Sequence, residues 1–154
     1  MTGDGGPVTG SKVIERDVDR ATGEVQYKFQ RLDVYQMALE YLDRIYELTK
    51  LFPPEEKYNL TSQLHRAGTS IVLNIAEGST GQSDAEQNRF LGLSMRSYLE
   101  TVAAFDIARR RGYLSNEELV GIRGFGHQLF TKLQSFRRSL KDGPVPGPRS
   151  PVIL

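Results

Sequence analysis

The residues of this chain that could do chemistry are few, and most are polar groups set in apolar stretches. One set lies on the stretch QLHRAGTSIVLNIAEG and its presumed helical partner: Gln63, Arg66, Ser70, Asn74, Glu77, Ser97 and Glu100. Two interpretations are open, a hydrogen-bonded network that fixes helix register or a ligand site with a pair of catalytic carboxylates. Because buried polar groups usually have hydrogen-bond partners, we expect the network.

A second set is basic and lies near the ends of two presumed helices. It consists of Arg109, Arg110, Arg111, Lys132, Arg137, Arg138 and Lys141. These cations either stabilise helix C-termini, at about 0.3–1 kcal/mol each, or contact nucleic-acid phosphates. The second half of the chain is the more basic one, although the whole chain carries a net charge of only +1.

Other chemistry finds little support in the sequence. The chain has no cysteine and two histidines, His65 and His127, which are too far apart for a local metal motif. The Glu-x-x-His pattern of di-iron bundles does not occur, nor does a P-loop or a nucleophile motif. We therefore expect no catalytic residue, no metal and no cofactor. The sequence contains no apolar run of about 20 residues and no signal-peptide pattern, which predicts a cytoplasmic protein without a membrane segment.

The first polar set is carried by a predicted helix, residues 60–78. Its core positions recur at spacings of three and four: Leu60, Leu64, Ala67, Ile71 and Ile75. A helix on the surface of a lone bundle shows a charged back, yet Arg66 is the only charged residue between Leu60 and Ala76. We therefore predict a subunit interface on the uncharged flank, formed by Thr69, Val72, Leu73 and Ala76.

Three further helices follow from capping signals. Capping boxes are predicted at Asp33–Gln36, Ser83–Glu86 and Ser115–Glu118, and glycines at 78 and 112 are predicted helix stops. The short connections predict an all-α, up-and-down antiparallel four-helix bundle over residues 32–142. Residues 1–31 are expected to be a flexible or extended arm, and 143–154 a disordered Pro-rich tail.

Two finer expectations concern the hairpin of the second and third helices and the arm. Folding the hairpin about Gly81 places Arg66 near Ser97 and Gln63 near Glu100, with Asn74 and Glu77 tied to Arg89 or to the first helix. In the arm, positions 25, 27 and 29 alternate as in a strand. Because no second strand candidate is evident, we expect an extended segment laid on the bundle or on a neighbouring subunit.

Several motifs together resemble a known family. They are F-x-x-L-D-V-Y (29–35), F-P-P-E-E-x-Y-x-L-x-x-Q-L-x-R-A-x-x-S-I-x-x-N-I-A-E-G (52–78), R-F-L (89–91), S-Y-L-E (97–100) and G-Y-L (112–114). The pattern is similar to the four-helix-bundle proteins encoded in 23S rRNA intervening sequences, which are related to the accessory variability determinant of diversity-generating retroelements. The resemblance implies a bacterial, non-enzymatic bundle that assembles as a homopentameric ring. In the retroelement branch it also implies binding of nucleic acid and of a reverse transcriptase.

Two functions are consistent with these observations. The first is a homo-oligomeric scaffold that binds RNA or DNA through its basic helix ends; the retroelement branch of the resemblance adds a role as accessory to a reverse transcriptase. The alternative is a protein–protein interaction module without nucleic-acid affinity, which docks through the arm (24–32) and the tail (143–154).

Overall fold

The described residues form four α-helices, and each packs against its neighbours in chain order. The computed structural model describes residues 18, 22–81 and 83–140. The helices are α1 (Asp33–Thr49), α2 (Leu60–Gly78), α3 (Asp84–Arg110) and α4 (Asn116–Ser139), with short 3-10 turns at Lys28–Arg31 and Pro54–Glu56. Because α4 also packs against α1, the four helices close around one core. The predicted all-α four-helix bundle is confirmed.

The helix boundaries reflect local capping chemistry. Ser115 and Glu118 form the predicted reciprocal box, in which each side chain accepts a backbone N–H from the other residue. At α3 only half of the predicted box forms: the hydroxyl of Ser83 accepts the N–H of Glu86, while the Glu86 carboxylate pairs with Arg89. Gly112 has a φ of 82° and ends α3 as predicted, while the N–H of Tyr113 donates to Ala108 O at 2.9 Å, as in a Schellman motif.

The capping box predicted at Asp33 is wrong. The N-cap of α1 is Leu32, and Asp33 is already helical. The 3-10 turn that precedes α1 explains the difference, because the carboxamide nitrogen of Gln36 donates to Gln30 O at 2.7 Å in that turn.

The core lies where the periodicity predicts it. Fully buried side chains include Ile45 on α1, Ile71 on α2 and Leu129 on α4, and each burial contributes about 1.5–3 kcal/mol. On α3 a spacing of four from Tyr98 predicts Val102 in the core, which is wrong, since this side chain is 36% exposed while Thr101 beside it is buried. The hydroxyl of Thr101 makes burial possible by donating to Tyr98 O at 2.6 Å.

The glycines of α4 differ in their surroundings. A Cβ at Gly126 would lie 2.8 Å from Cε1 of Tyr41 and 2.9 Å from Cε1 of Tyr98, so only glycine lets α4 approach these rings. A Cβ at Gly124 would meet no atom within 4 Å.

The hairpin of α2 and α3 is shifted from its predicted register by about one helical turn. Ser97 faces Ser70, with 2.9 Å between the hydroxyl oxygens, instead of Arg66. Gly78 is the last residue of α2, as predicted, and the positive φ of this connection occurs at Gly81. A Cβ at Gly78 would lie 2.7 Å from Cβ of Phe90. The first turn of α3 therefore lies beyond the end of α2, which accounts for the shift.

The arm contains pairing that the sequence analysis missed. Val18 and Val25 form an isolated antiparallel β-bridge, so Val18 is a pairing partner for the arm that the sequence did not indicate. Phe29 does not continue the extended segment, because it lies in the 3-10 turn Lys28–Arg31. Residues 1–17 and the predicted tail, 143–154, lie outside the described part of the chain. Among the described helices, none has both the length and the apolar character that a bilayer crossing requires.

Candidate nucleic-acid interface

The predicted basic residues separate into two groups with different surroundings. The first, Arg109, Arg110 and Arg111, lies where α3 ends. Together with Arg123 of α4, which was not among the predicted residues, we call it the arginine cluster. All four side chains are exposed. The turn at Gly112 brings Arg123 near Arg109, because it reverses the chain so that the first turns of α4 lie beside the last turn of α3.

A neutral side chain links two members of the arginine cluster. The amide oxygen of Asn116 accepts from Nε of Arg109 at 2.6 Å and from Nη1 of Arg123 at 3.4 Å. Arg123 also approaches Asp106 at 3.6 Å. Within the described residues, the side chains of Arg109, Arg110 and Arg111 have no carboxylate within 4.0 Å. Since Asn116 carries no charge, it orders the guanidinium groups of Arg109 and Arg123 without neutralising them. Asp106 offsets charge at Arg123 alone.

The second group, toward the end of α4, is mostly engaged in structure. Arg137 is half-buried, and its Nη2 donates to the amide oxygen of Asn88 on α3 at 2.8 Å. Desolvation lowers the pKa of Arg137. Lys132 lies 4.0 Å from Asp33, and Arg138 donates to the hydroxyl of Ser135 at 3.4 Å. Lys141 lies outside the described residues.

The contact between Arg137 and Asn88 was not foreseen from the sequence. Asn88 is buried, and its Nδ2 has no hydrogen-bond partner in the described structure. Arg137 satisfies the oxygen of the same amide through two donors, Nε at 3.3 Å and Nη2 at 2.8 Å. The only sequence signal was an uncharged polar residue, Asn88, near the core positions of α3.

The predicted polar network forms only in part. Asn74 Nδ2 donates to both the carbonyl and the hydroxyl oxygen of Ser70 at 2.9 Å, and Ser97 donates to the same hydroxyl at 2.9 Å. A buried contact that the sequence analysis did not single out lies next to it, where Ser94 donates to Ile71 O at 2.9 Å. These bonds fix the register of α2 against α3.

The remaining members of the polar set lie on the surface. They are Gln63, Arg66, Glu77 and Glu100, all exposed and without a side-chain hydrogen bond to another described residue. The predicted pairing of Arg66 with Ser97 is wrong because Ser70 takes that place. The predicted contact of Asn74 and Glu77 with Arg89 is also absent, because Arg89 pairs with Glu86 of its own helix at 3.3 Å.

The four residues of the predicted subunit interface have different exposures. Val72 is 5% exposed and belongs to the core of its own bundle, whereas Leu73 beside it is 61% exposed. Thr69 and Ala76 are intermediate. Their uncharged flank thus has one prominent apolar side chain.

A cavity of about 350 Å³ opens beside the arginine cluster, between the start of α2 and the end of α3. Its wall includes Glu56, whose Oε2 accepts the hydroxyl of Tyr113 at 2.6 Å. This hydrogen bond lowers the pKa of Glu56 and raises that of Tyr113. The cavity was not predicted, since it depends on contacts between residues more than 50 positions apart in the chain.

The histidines have no metal-binding surroundings. His65 stacks on Tyr46 at 4.0 Å between ring centroids, and its Nε2 lies 2.9 Å from the hydroxyl of Thr49. Burial lowers the pKa of His65, and His127 is exposed. The described residues contain no cluster of three or more histidine or carboxylate side chains suited to a metal.

Comparison with known proteins gives one consistent result. A family model described as 23S rRNA-intervening sequence protein matches residues 30–134. A crystal structure of a protein of unknown function, from the S23 ribosomal protein family of Bacteroides thetaiotaomicron VPI-5482, is similar with a TM-score of 0.62 and 29% sequence identity. The match covers 67% of the present chain and 96% of the solved one. No curated protein matches the chain.

Proposed function

The chain belongs to the family of 23S rRNA-intervening sequence proteins, and from this premise we propose that it is a non-enzymatic, homo-oligomeric scaffold that binds RNA or DNA. The contact surface in this proposal is the arginine cluster at the junction of α3 and α4. The basic residues toward the end of α4 contribute less to binding, because Arg137 already donates to the amide oxygen of Asn88 and Lys132 lies near Asp33.

The observation that carries the proposal is the pair of guanidinium groups ordered on the neutral amide of Asn116. A planar guanidinium matches the oxygen geometry of a phosphate and keeps its charge at any physiological pH. Among the described residues, no carboxylate pairs with Arg109, and the like charge of Arg123 lies close to it. These two positive charges together favour the binding of an anion. Binding then releases counterions from the nucleic acid, which supplies most of the affinity at low salt.

Self-association is the second part of the proposal, and Leu73 supports it. A leucine that is 61% exposed gains up to about 1.5–3 kcal/mol when a neighbouring subunit covers it. The half-buried, uncharged Thr69 and Ala76 beside it would allow close approach of a second helix. A ring of subunits, five by the family resemblance, would repeat the arginine cluster around one rim and so multiply a weak basic surface.

The proposal is tested by equilibrium binding of a structured RNA at about 50 mM salt, a concentration at which phosphate contacts are strong. We expect Arg109→Ala and Arg110→Ala each to weaken binding severalfold. The matched control is Arg96→Ala, which removes the same charge from an exposed site on α3 about 20 Å along the helix from Arg110. If all three variants bind equally, or if the wild type does not bind, the arginine cluster is not a nucleic-acid surface.

A second candidate, a protein–protein module without nucleic-acid affinity, is favoured by the arm. Val25 and Tyr27 are 49% and 40% exposed beside the bridge from Val18 to Val25. An isolated bridge of this size is marginal alone, and an extended segment of another chain would add to it. This candidate predicts that Tyr27→Ser abolishes binding to a partner protein while nucleic-acid binding is absent in the wild type.

A further inference from the structure

The cavity beside the arginine cluster has a fixed polar wall. Its lining includes Glu56, Asn59, Gln63, Ile107, Arg111 and Tyr113. Its volume of about 350 Å³ lies at the lower end of the range for small-ligand pockets. It is continuous with the proposed nucleic-acid surface, because Arg111 belongs to both.

Glu56 accepts three hydrogen bonds and anchors this wall. One carboxylate oxygen accepts the Tyr113 hydroxyl at 2.6 Å. The other accepts the N–H of Leu60 at 3.2 Å and Nδ2 of Asn59 at 3.0 Å. These three hydrogen bonds fix the position of the Glu56 carboxylate. It holds the Tyr113 ring and the Asn59 amide in place.

Three polar groups of the lining remain available to a ligand. The carboxamide of Gln63, the amide oxygen of Asn59 and the guanidinium of Arg111 make no side-chain hydrogen bond to other described residues. Ile107, which is 49% exposed, adds an apolar surface. The cavity therefore presents amide donors and acceptors, one cation and an aliphatic patch.

These groups select among ligand classes. A lone phosphate would pair with Arg111, but it would leave the amides and Ile107 unused. A cation is disfavoured by Arg111, and a purely apolar molecule would leave the amides unsatisfied. A nucleotide uses all of them, since base edges match carboxamides, the ring lies on an apolar side chain, and the phosphate pairs with the guanidinium.

We propose that this cavity receives one unstacked base of a single-stranded nucleic acid, with Gln63 and Asn59 on the base edge and Arg111 on its phosphate. The inference rests on the proposed function and specifies its ligand as single-stranded at this position. It also gives Gln63 a role, because this residue does not join the polar network of the hairpin.

The experiment compares single-stranded RNA of about eight nucleotides, as separate A, C and U homopolymers, with a paired RNA of about 16 base pairs. We expect the wild type to prefer one homopolymer. Gln63→Ala is expected to weaken that binding by about tenfold, the usual effect of losing one good base contact. Duplex binding is expected to stay unchanged, because a paired base does not reach the cavity.

Gln128→Ala is the matched control, since it truncates an exposed glutamine on α4 that does not line the cavity. If Gln63→Ala binds every homopolymer as the wild type does while Arg110→Ala weakens single strands and duplex alike, the base pocket is refuted and the proposed function stands. If the wild type binds neither RNA at low salt, both are refuted. Unchanged far-UV circular dichroism of Gln63→Ala establishes that any loss is local.

Discussion

Alanine substitutions at two glycines of α4, Gly124 and Gly126, test how closely the bundle is packed around this helix. Replacing either one by alanine gains about 1 kcal/mol of helix propensity. At Gly124 nothing opposes this gain, because a Cβ there meets no atom within 4 Å. We therefore expect Gly124→Ala to stabilise the protein by about 1 kcal/mol, or about 4 °C in Tm.

At Gly126 the same change forces a Cβ to within 2.8 Å of the Tyr41 ring and 2.9 Å of the Tyr98 ring. Neither ring can withdraw easily. The Tyr41 hydroxyl lies 2.8 Å from that of Thr101, and Tyr98 stacks on Phe130 at 5.3 Å. Overpacking of this kind costs about 1–3 kcal/mol. Because the propensity gain is common to both variants, the difference between Gly124→Ala and Gly126→Ala reports the overpacking alone, about 1–3 kcal/mol.

The assay is guanidinium denaturation followed by far-UV circular dichroism, with all proteins at one concentration because self-association alters apparent stability. Equal stabilisation by both substitutions would falsify the packing of the two tyrosines on α4. A loss at Gly124 as large as that at Gly126 would mean that position 124 is covered in the folded protein.

Three further expectations can be checked with the same material. Arg137→Ala should lower the free energy of unfolding by about 1–3 kcal/mol, because it leaves the buried amide oxygen of Asn88 unpaired. The control Arg138→Ala, at an exposed site, should change it by less than about 0.5 kcal/mol. Equal effects of the two substitutions in denaturation would contradict the contact between Arg137 and Asn88. Burial lowers the pKa of His65 in the folded state. The free energy of unfolding should therefore keep its full value above the unfolded pKa of about 6.5. It should decrease as the pH drops from there toward the lower pKa of the folded state. His65→Gln should reduce this slope in melts across that pH window, and an unaltered slope would refute the assignment. Leu73→Glu should abolish self-association in light scattering while helicity is retained, whereas Val120→Glu, an equally drastic change at another exposed apolar site, should not; a wild type that is monomeric at micromolar concentration would rule out the oligomer.

Local signals were the part of the fold that the sequence predicted well. The Ser115–Glu118 capping box and the Gly112 stop depend on residues within one or two turns of each other, and both occur. The Asp33 box failed because a competing local contact, the amide of Gln36 on Gln30 O, depends on a 3-10 turn that has no clear sequence signature.

Long-range geometry was harder to predict. The loop after Gly78 carries α3 past the end of α2, so a shift of about one turn placed Ser97 on Ser70 and left Arg66 exposed. The same limitation applies to the functional surface. Arg109 was identified from its charge, but nothing in the sequence indicated that Asn116 would order it.

The proposed function depends most directly on phosphate contacts by the arginine cluster, and the salt dependence of RNA binding measures these contacts. The logarithm of the binding constant should fall linearly with the logarithm of salt concentration between about 50 and 200 mM. The Arg109→Ala/Arg110→Ala double variant should show a slope smaller by about 1.4–1.8, since each lost contact removes about 0.7–0.9. A double variant whose slope and affinity equal those of the wild type would contradict the proposal that this protein binds nucleic acid through the junction of α3 and α4.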